Sequence, residues 1–204
     1  MTEQNKIAGV VLAGGMARRM GGQDKGLIQF AGQPLVDYAI KSMQMVTREI
    51  VISANRHLEQ YQRWGHPVVM DTSSDYLGPL AGIAAACRLT NADVLVVIPC
   101  DSPLFTGVHI QRMIEAMSED VDVVIASDGQ RFHPVFMVLK THLQNEIETY
   151  LSAEGRRVQE WVEQQAWAVV EFNESFNIFA NINTENELLA LESRVKEHAP
   201  AITS

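Results

Sequence analysis

Residues 7–26 hold the side chains with the clearest chemical purpose. The apolar run Ile7, Val10, Val11, Leu12 stops at Gly14-Gly15; Arg18, Arg19, a second glycine pair (Gly21, Gly22) and Lys25 follow. Glycines let backbone N–H groups approach phosphate oxygens, and guanidinium and ammonium groups neutralise them. A buried strand that runs into such a loop is suited to a polyphosphate. Neither Gly-x-x-x-x-Gly-Lys-[Ser/Thr] nor Gly-x-Gly-x-x-Gly occurs in residues 9–26, so the loop is neither of the two familiar phosphate-binding patterns. Adjacent side chains diverge, so one of Arg18 and Arg19 meets phosphate while the other is solvated or structural.

Other polar residues follow apolar runs in the same way. Ser53 and Asn55 follow one, Asp71 follows Val68-Val69-Met70, and Asp101 follows Val94–Pro99. In open parallel sheets ligands bind beyond the carboxyl ends of the strands, which would gather these positions at one edge. Asp101 is the best metal candidate, because Mg²⁺ is usually held by one or two carboxylates plus substrate phosphates. Its alternative is a helix N-cap, although Thr106 is better placed for that. Lys25 is either a phosphate ligand or a surface lysine, and Asp71 a ligand or a turn residue. Gly78-Pro79-Leu80-Ala81-Gly82 reads as a tight turn opening a helix, with N–H groups that suit a nucleoside. His133 reads as a loop residue. Arg156-Arg157 starts a helix after Glu154-Gly155, where cations oppose the macrodipole; an anion would justify them, and facing water or pairing with Glu154 and Glu160 is the alternative.

Strand-like runs at 7–12, 50–54, 67–70, 94–98, 121–126, 134–139 and 168–172 position these residues. Most are unbroken Val/Ile/Leu segments, as in a parallel sheet covered on both faces. Helical segments at 34–46, 79–89, 106–117, 141–151, 155–165 and 184–196 alternate with them. Pro34 suits a first helical turn, and Thr184 with Glu187 forms a capping box. The alternation predicts right-handed βαβ units in an α/β fold. His133-Pro134 interrupts the pattern, so 134–139 is expected to be an antiparallel addition.

The 204 residues suit a single domain, residues 1–204, with 198–204 as a frayed tail. A net charge of −9 disfavours nucleic acid, because binding its phosphates needs a basic surface. Cys87 and Cys100 lie in apolar surroundings without a CxxC pair, which predicts buried, reduced thiols. The N-terminus has no signal-sequence pattern and no apolar run is long enough to span a bilayer. A cytoplasmic protein without membrane contact is expected.

Taken together, these segments resemble the molybdenum cofactor guanylyltransferases of the MobA type, in the nucleotidyltransferase superfamily. The superfamily signature Leu-Ala-Gly-Gly-x-x-x-Arg-Met-Gly followed by Asp-Lys stands at Leu12 to Lys25. The narrower likeness lies in Ser53-Ala54-Asn55-Arg56-His57, Asp75 to Gly82, Pro99-Cys100-Asp101-Ser102-Pro103, His133-Pro134, Gly155-Arg156-Arg157-Val158 and Asn181-Ile182-Asn183-Thr184. It extends from Ile7 to Leu189.

The resemblance implies a Rossmann-like three-layer α/β/α sandwich and Mg²⁺-dependent transfer of GMP from GTP to the terminal phosphate of molybdopterin. It implies that Leu12, Ala13, Gly14 and Gly15 meet GTP through the backbone, with Lys25 on its phosphates and Asp71 at its nucleoside end. Asp101 would hold both nucleotide and Mg²⁺, and Arg19, Lys25 and Asp101 would form the catalytic set. Relatives often carry Asn where Ser53 stands, and Asn55 is a substitute for a base contact. Arg156, Asn181 and Asn183 would face the pterin; capping of the helix from Thr184 is the alternative for Asn183. A monomer is expected, with cofactor-synthesis proteins or molybdoenzyme chaperones as further partners. Two competing readings are a cytidylyltransferase on a pterin or sugar phosphate and a non-catalytic nucleotide-binding delivery protein.

Overall fold

A computed structural model describes residues 6–13, 16–17, 22–70, 77–174 and 177–198, with side chains at 6–13, 22–70, 77–174 and 177–194. The first half runs β1 (Ile7–Leu12), β2 (Met16–Ala17), β3 (Gln23–Asp24), a 3₁₀ turn (Lys25–Leu27), β4 (Gln29–Phe30), β5 (Gln33–Pro34), α1 (Leu35–Gln44), β6 (Glu49–Ser53), α2 (Leu58–Tyr61), β7 (Val68–Val69) and α3 (Pro79–Leu89). The second runs β8 (Val94–Pro99), α4 (Gly107–Glu115), β9 (Val123–Ser127), β10 (Phe132–Lys140), α5 (Gln144–Ser152), α6 (Val158–Val162), β11 (Trp167–Glu171) and α7 (Glu185–His198).

Seven strands form one sheet in the order β11-β9-β10-β8-β1-β6-β7. The pairs β1–β6, β1–β8, β6–β7 and β9–β11 are parallel, and β10 runs antiparallel to both β8 and β9. The α/β architecture with one antiparallel strand matches the expectation. Successive strand side chains point to opposite faces. Val94, Val96 and Ile98 of β8 join Val36, Met43 and Ile110 of α1 and α4 on one face. Leu95 and Val97 join Leu80 and Ile83 of α3, Ile147 of α5 and Trp161 of α6 on the other. Helices on both faces explain why the central strands lack polar alternation.

The antiparallel strand has a physical device at its start. His133 pairs with Ala126, and the next paired residue, Met137, faces Ile125. Residues 134–136 therefore bulge, which accommodates Pro134 where a regular ladder would need its N–H. A third apolar cluster joins Ile28, Phe30 and Leu35 to Ile182 and Leu191. It holds α7 against the β4–β5 hairpin, and the Ala31 N–H adds a 2.8 Å bond to Glu192.

Several details differ from the sequence reading. Pro34 stands before α1 as its cap and pairs with Gln29, so it is outside the first helical turn. α1 ends at Gln44, and the segment read as helix 155–165 is helical at Val158–Val162. Segment 141–151 divides into a 3₁₀ turn, Thr141–Leu143, and α5. The hairpins and α2 were not anticipated, because two-residue strands and a four-residue helix carry no readable period. Among the described residues no helix is long and apolar enough to cross a membrane.

Candidate active site

The parallel ladder brings the ends of three strands together. Leu12 lies opposite Ser53 on one side and Pro99 on the other. Pairing continues one step further: the Ala13 N–H donates to the Ser53 carbonyl at 2.8 Å, and the Cys100 N–H donates to the Leu12 carbonyl at 3.1 Å. The Ala13 N–H is thus committed within the sheet and is not a donor for a ligand. Gly14, Gly15, Arg18, Arg19 and Asp71 lie outside the described residues.

The chain then places Lys25 over the end of β8. Its Nζ is 2.9 Å from Asp101 Oδ2 and donates as well to Asn183 Oδ1. Both side chains of the ion pair are largely covered, at 16% and 12% exposure. Next to it, the Ser102 hydroxyl donates to Asn181 Oδ1, and the Ile182 N–H donates to the Asp101 carbonyl at 2.9 Å. The segment 181–183 is therefore fastened alongside 101–102. Asp101 does not cap α4: Thr106 is the cap, and its N–H donates to Nδ1 of His109 at 2.8 Å. Asn183 does not cap α7 with its side chain either. Thr184 Oγ1 accepts the Glu187 N–H at 3.2 Å, and Glu187 reaches back to the Asn183 N–H at 2.8 Å.

Ser53 is 5% exposed. Its Oγ would lie 2.2 Å from a Cβ added at Gly82, so the hydroxyl nests in a notch of α3 that a larger residue would close. Gly78 caps α3 with φ 79° and ψ −168°, a conformation available essentially to glycine. The Arg156 carbonyl lies 3.8 Å from where a Gly78 Cβ would be. This contact brings the 155–157 corner to the edge of the site. The Arg156 guanidinium, however, donates to the carbonyls of Leu151 at 2.8 Å and Gly155 at 2.7 Å, which favours the C-terminus of α5. Arg157 pairs with Glu160 at 2.7 Å on the surface. The structure thus gathers Leu12, Ala13, Lys25, Ser53, Asp101, Asn181 and Asn183, with Arg156 turned back toward α5.

His133 is more than a loop residue. It opens β10, stacks on Phe179 at 4.0 Å and 8°, and its Nε2 is 2.9 Å from Asp128 Oδ2. That bond, with the N–H groups of Arg131 and Gln130, holds the Asp128 carboxyl below the usual carboxylate range. Asp128, Arg131, Phe172, Glu174, Asn177 and Phe179 line a polar cleft of about 440 Å³ at the same edge of the sheet.

A two-carboxylate metal site would need a partner for Asp101. Among the described residues no three His, Cys, Asp or Glu side chains gather to hold an ion. A single carboxylate that shares Mg²⁺ with substrate phosphates is compatible with this arrangement.

The comparisons with known proteins point the same way. A family model described as the MobA-like NTP transferase domain matches residues 9–168. The chain belongs to the MobA-like NTP transferase family. A protein named molybdenum cofactor guanylyltransferase from Shewanella loihica is 40% identical over 191 residues, covering 93% of this chain and 97% of the relative. One of the same name from Shewanella halifaxensis is 42% identical over 188 residues, covering 92% and 93%. A solved structure of molybdopterin-guanine dinucleotide biosynthesis protein A from Archaeoglobus fulgidus superposes with a TM-score of 0.78 at 20% identity, covering 93% of this chain and 99% of that one. This last likeness establishes the shared fold. Within the MobA-like family assignment, the matched residues include Lys25 and Asp101, whereas Asn181 and Asn183 lie beyond the matched range.

Two features of this site were missed in the sequence. Ser102 carries no role in the sequence motif Pro99–Pro103, yet its hydroxyl holds Asn181. Asp24 stands in sequence as half of the Asp-Lys doublet, yet it is a buried carboxylate at 7% exposure, bonded to the Tyr61 hydroxyl and the Gly26 N–H. The signal for Ser102 was its adjacency to Asp101; a tyrosine 37 residues from Asp24 left none.

Proposed function

We propose that the protein transfers GMP from GTP to the terminal phosphate of molybdopterin, releases pyrophosphate and forms the guanine dinucleotide form of the molybdenum cofactor. The observation that carries this reading is the Lys25–Asp101–Asn183 cluster at the ends of β1 and β8. The 40% identity to named guanylyltransferases over nearly the whole chain supports it. In the reaction an oxygen of the molybdopterin phosphate attacks the α-phosphorus of GTP, and the bond to the β-phosphate bridging oxygen breaks. The electron pair leaves with pyrophosphate. No general base is needed, because a phosphate monoester is already ionised near pH 7. Positioning and charge stabilisation do most of the work in such transfers.

Lys25 and Arg19 offset the negative charge that gathers on pyrophosphate. Asp101 is proposed to hold Mg²⁺, which would supply charge neutralisation on the phosphates. Carbonyls of Leu12 and Ala13, the backbone of Gly14 and Gly15, and the side chains of Ser53 and Asp71 are proposed for GTP. Arg156, Asn181 and Asn183 are proposed for the pterin. For Arg156 this requires its guanidinium to leave the Leu151 carbonyl. The working unit is proposed to be a monomer, and cofactor-synthesis proteins or molybdoenzyme chaperones would receive the product. Cys87 and Cys100 are buried and unpaired, and burial pushes the Cys87 thiol up to about 12. Such thiols suit the reducing cytoplasm in which we place the protein.

Titration calorimetry with GTP, CTP and ATP, each with and without Mg²⁺, tests the reading. Tightest binding of GTP, strengthened by Mg²⁺, is expected. Equal binding of CTP would replace the guanylyl assignment with a cytidylyl one.

A further inference from the structure

The mechanism above makes no use of the buried group directly before Lys25. Asp24 Oδ1 accepts the Gly26 N–H at 3.2 Å and the Tyr61 hydroxyl. It thereby caps the 3₁₀ turn Lys25–Leu27, whose first residue is the lysine proposed to bind phosphate. Tyr61 is fully buried at the end of α2, with its ring 5.8 Å from that of Trp64. Trp64 in turn donates to Asp37 of α1. The hydroxyl is thus presented from the packed side of the sheet and is not a mobile surface donor.

Three observations indicate that this arrangement has a purpose beyond packing. A carboxylate is rarely buried without a specific partner, because the charged form loses hydration. Here burial is the largest influence on Asp24 and raises its pKa, while its two donors oppose that shift. Gly26 leaves no room for a side chain: an added Cβ would lie 2.3 Å from the Tyr61 oxygen. The turn is therefore closed around the hydroxyl. Finally, Lys25 is a long side chain with considerable rotamer freedom, yet it meets two partners that lie 76 and 158 residues away in sequence. Its direction depends on where this turn places its Cα.

We infer that Asp24 and Tyr61 are a positioning pair, which locks the turn carrying Lys25 and aims its ammonium group at the triphosphate of the nucleotide. The inference rests on the proposed phosphate role of Lys25. The pair touches neither substrate nor reacting atoms and acts through the lysine.

The test compares GTP and guanosine binding by calorimetry in Tyr61→Phe, which keeps the ring and its packing and removes the hydroxyl. GTP affinity is expected to fall about tenfold, the size of one hydrogen bond to a charged group, while guanosine affinity stays within about twofold. Gly26→Ala attacks the same contact from the other side, by displacing the hydroxyl, and should show the same phosphate-selective loss. The deciding step is a double-mutant cycle. In a Lys25→Ala background, Tyr61→Phe should cost less than about twofold in GTP affinity, because the group it positions has gone. An undiminished tenfold loss in that background overturns the inference, as does equal loss of guanosine and GTP in both variants. Wild-type GTP binding by Lys25→Ala itself would instead defeat the phosphate role on which the inference rests.

Discussion

Asp101→Asn separates two effects of opposite sign. The carboxylate lies 2.9 Å from Lys25 Nζ and so neutralises a cation that the triphosphate also needs. A phosphate oxygen that meets Lys25 on its other side would lie roughly 6 Å from that carboxylate, allowing about 2.8 Å for the new charge-assisted bond. The repulsion is then about 0.7–1.4 kcal/mol per phosphate charge, for an effective dielectric of about 40–80 in a partly covered site. Its removal should tighten GTP binding without Mg²⁺ by about three- to tenfold. With Mg²⁺ the sign reverses. Loss of the proposed metal carboxylate should remove the Mg²⁺-dependent gain in affinity and lower turnover by about 100-fold or more, which corresponds to ~3 kcal/mol of transition-state stabilisation. The fold should persist, because Asn keeps an acceptor for Lys25 and the strand-end side chain contributes little to the core. Calorimetry with and without Mg²⁺, together with pyrophosphate release at saturating GTP, measures both arms. Near-normal turnover in the folded variant, or Mg²⁺-free binding that is no tighter than wild type, would refute the reasoning.

The other perturbations divide ligand contacts from structural ones. Gly82→Ala should lower stability by about 1–3 kcal/mol, since its Cβ would lie 2.2 Å from the Ser53 oxygen; adding Ser53→Gly should restore much of the loss in thermal unfolding. Thr184→Ala should cost about 1 kcal/mol as a lost helix cap and leave GTP affinity alone in calorimetry. Asn181→Ala should retain GTP binding, lose pterin affinity and lower stability by about 1–3 kcal/mol, because the buried Ser102 hydroxyl loses its acceptor; unchanged pterin binding would place the second substrate elsewhere. Asp128 has its carboxyl pKa depressed by the His133 bond, so its contribution to stability is present above the unfolded carboxylate pKa and is lost as pH falls through the folded one. The melting-temperature gap between wild type and Asp128→Asn should therefore narrow in acid, and a gap that widens there would contradict the assigned sign.

The elements legible in the sequence were those whose own composition specifies them. The strands 7–12 and 94–98 read as buried because they carry no polar alternation, and helices indeed cover both faces of the sheet there. The antiparallel strand was marked by His133-Pro134, but the reason became visible in the pairing, where 134–136 bulge away from the ladder. Capping was also local enough to read: Thr184 and Glu187 do close the start of α7, with Glu187 reaching one residue further back to the Asn183 N–H. The corresponding box at Thr106 is hidden in the sequence because a histidine takes the place of the usual glutamate or glutamine.

The site was less legible, because its geometry lies in contacts between distant segments. Residue type identified Lys25 and Asp101 as a cation and a carboxylate, but their pairing depends on the β1–β8 register and on the turn after Asp24. Asn183 left two readings open, a helix cap or a pterin ligand, and its observed side-chain partner is Lys25, to which neither reading pointed. Alternation in an extended segment predicts which side chains share a face; it does not identify what that face meets. The Ile182 N–H bonded to the Asp101 carbonyl provides that missing information, because it sets residues 181–183 beside 101–102. The same bond gives Asn183 a consequence beyond pterin contact. A residue that shares the Lys25 ammonium with Asp101 must let go, or share further, when phosphate arrives. Asn183→Ala should therefore change GTP binding as well as any pterin contact, whereas Asn181, held by the Ser102 hydroxyl, should leave GTP binding unchanged. Equal GTP affinities in wild type and Asn183→Ala would show that the amide does not compete for the lysine.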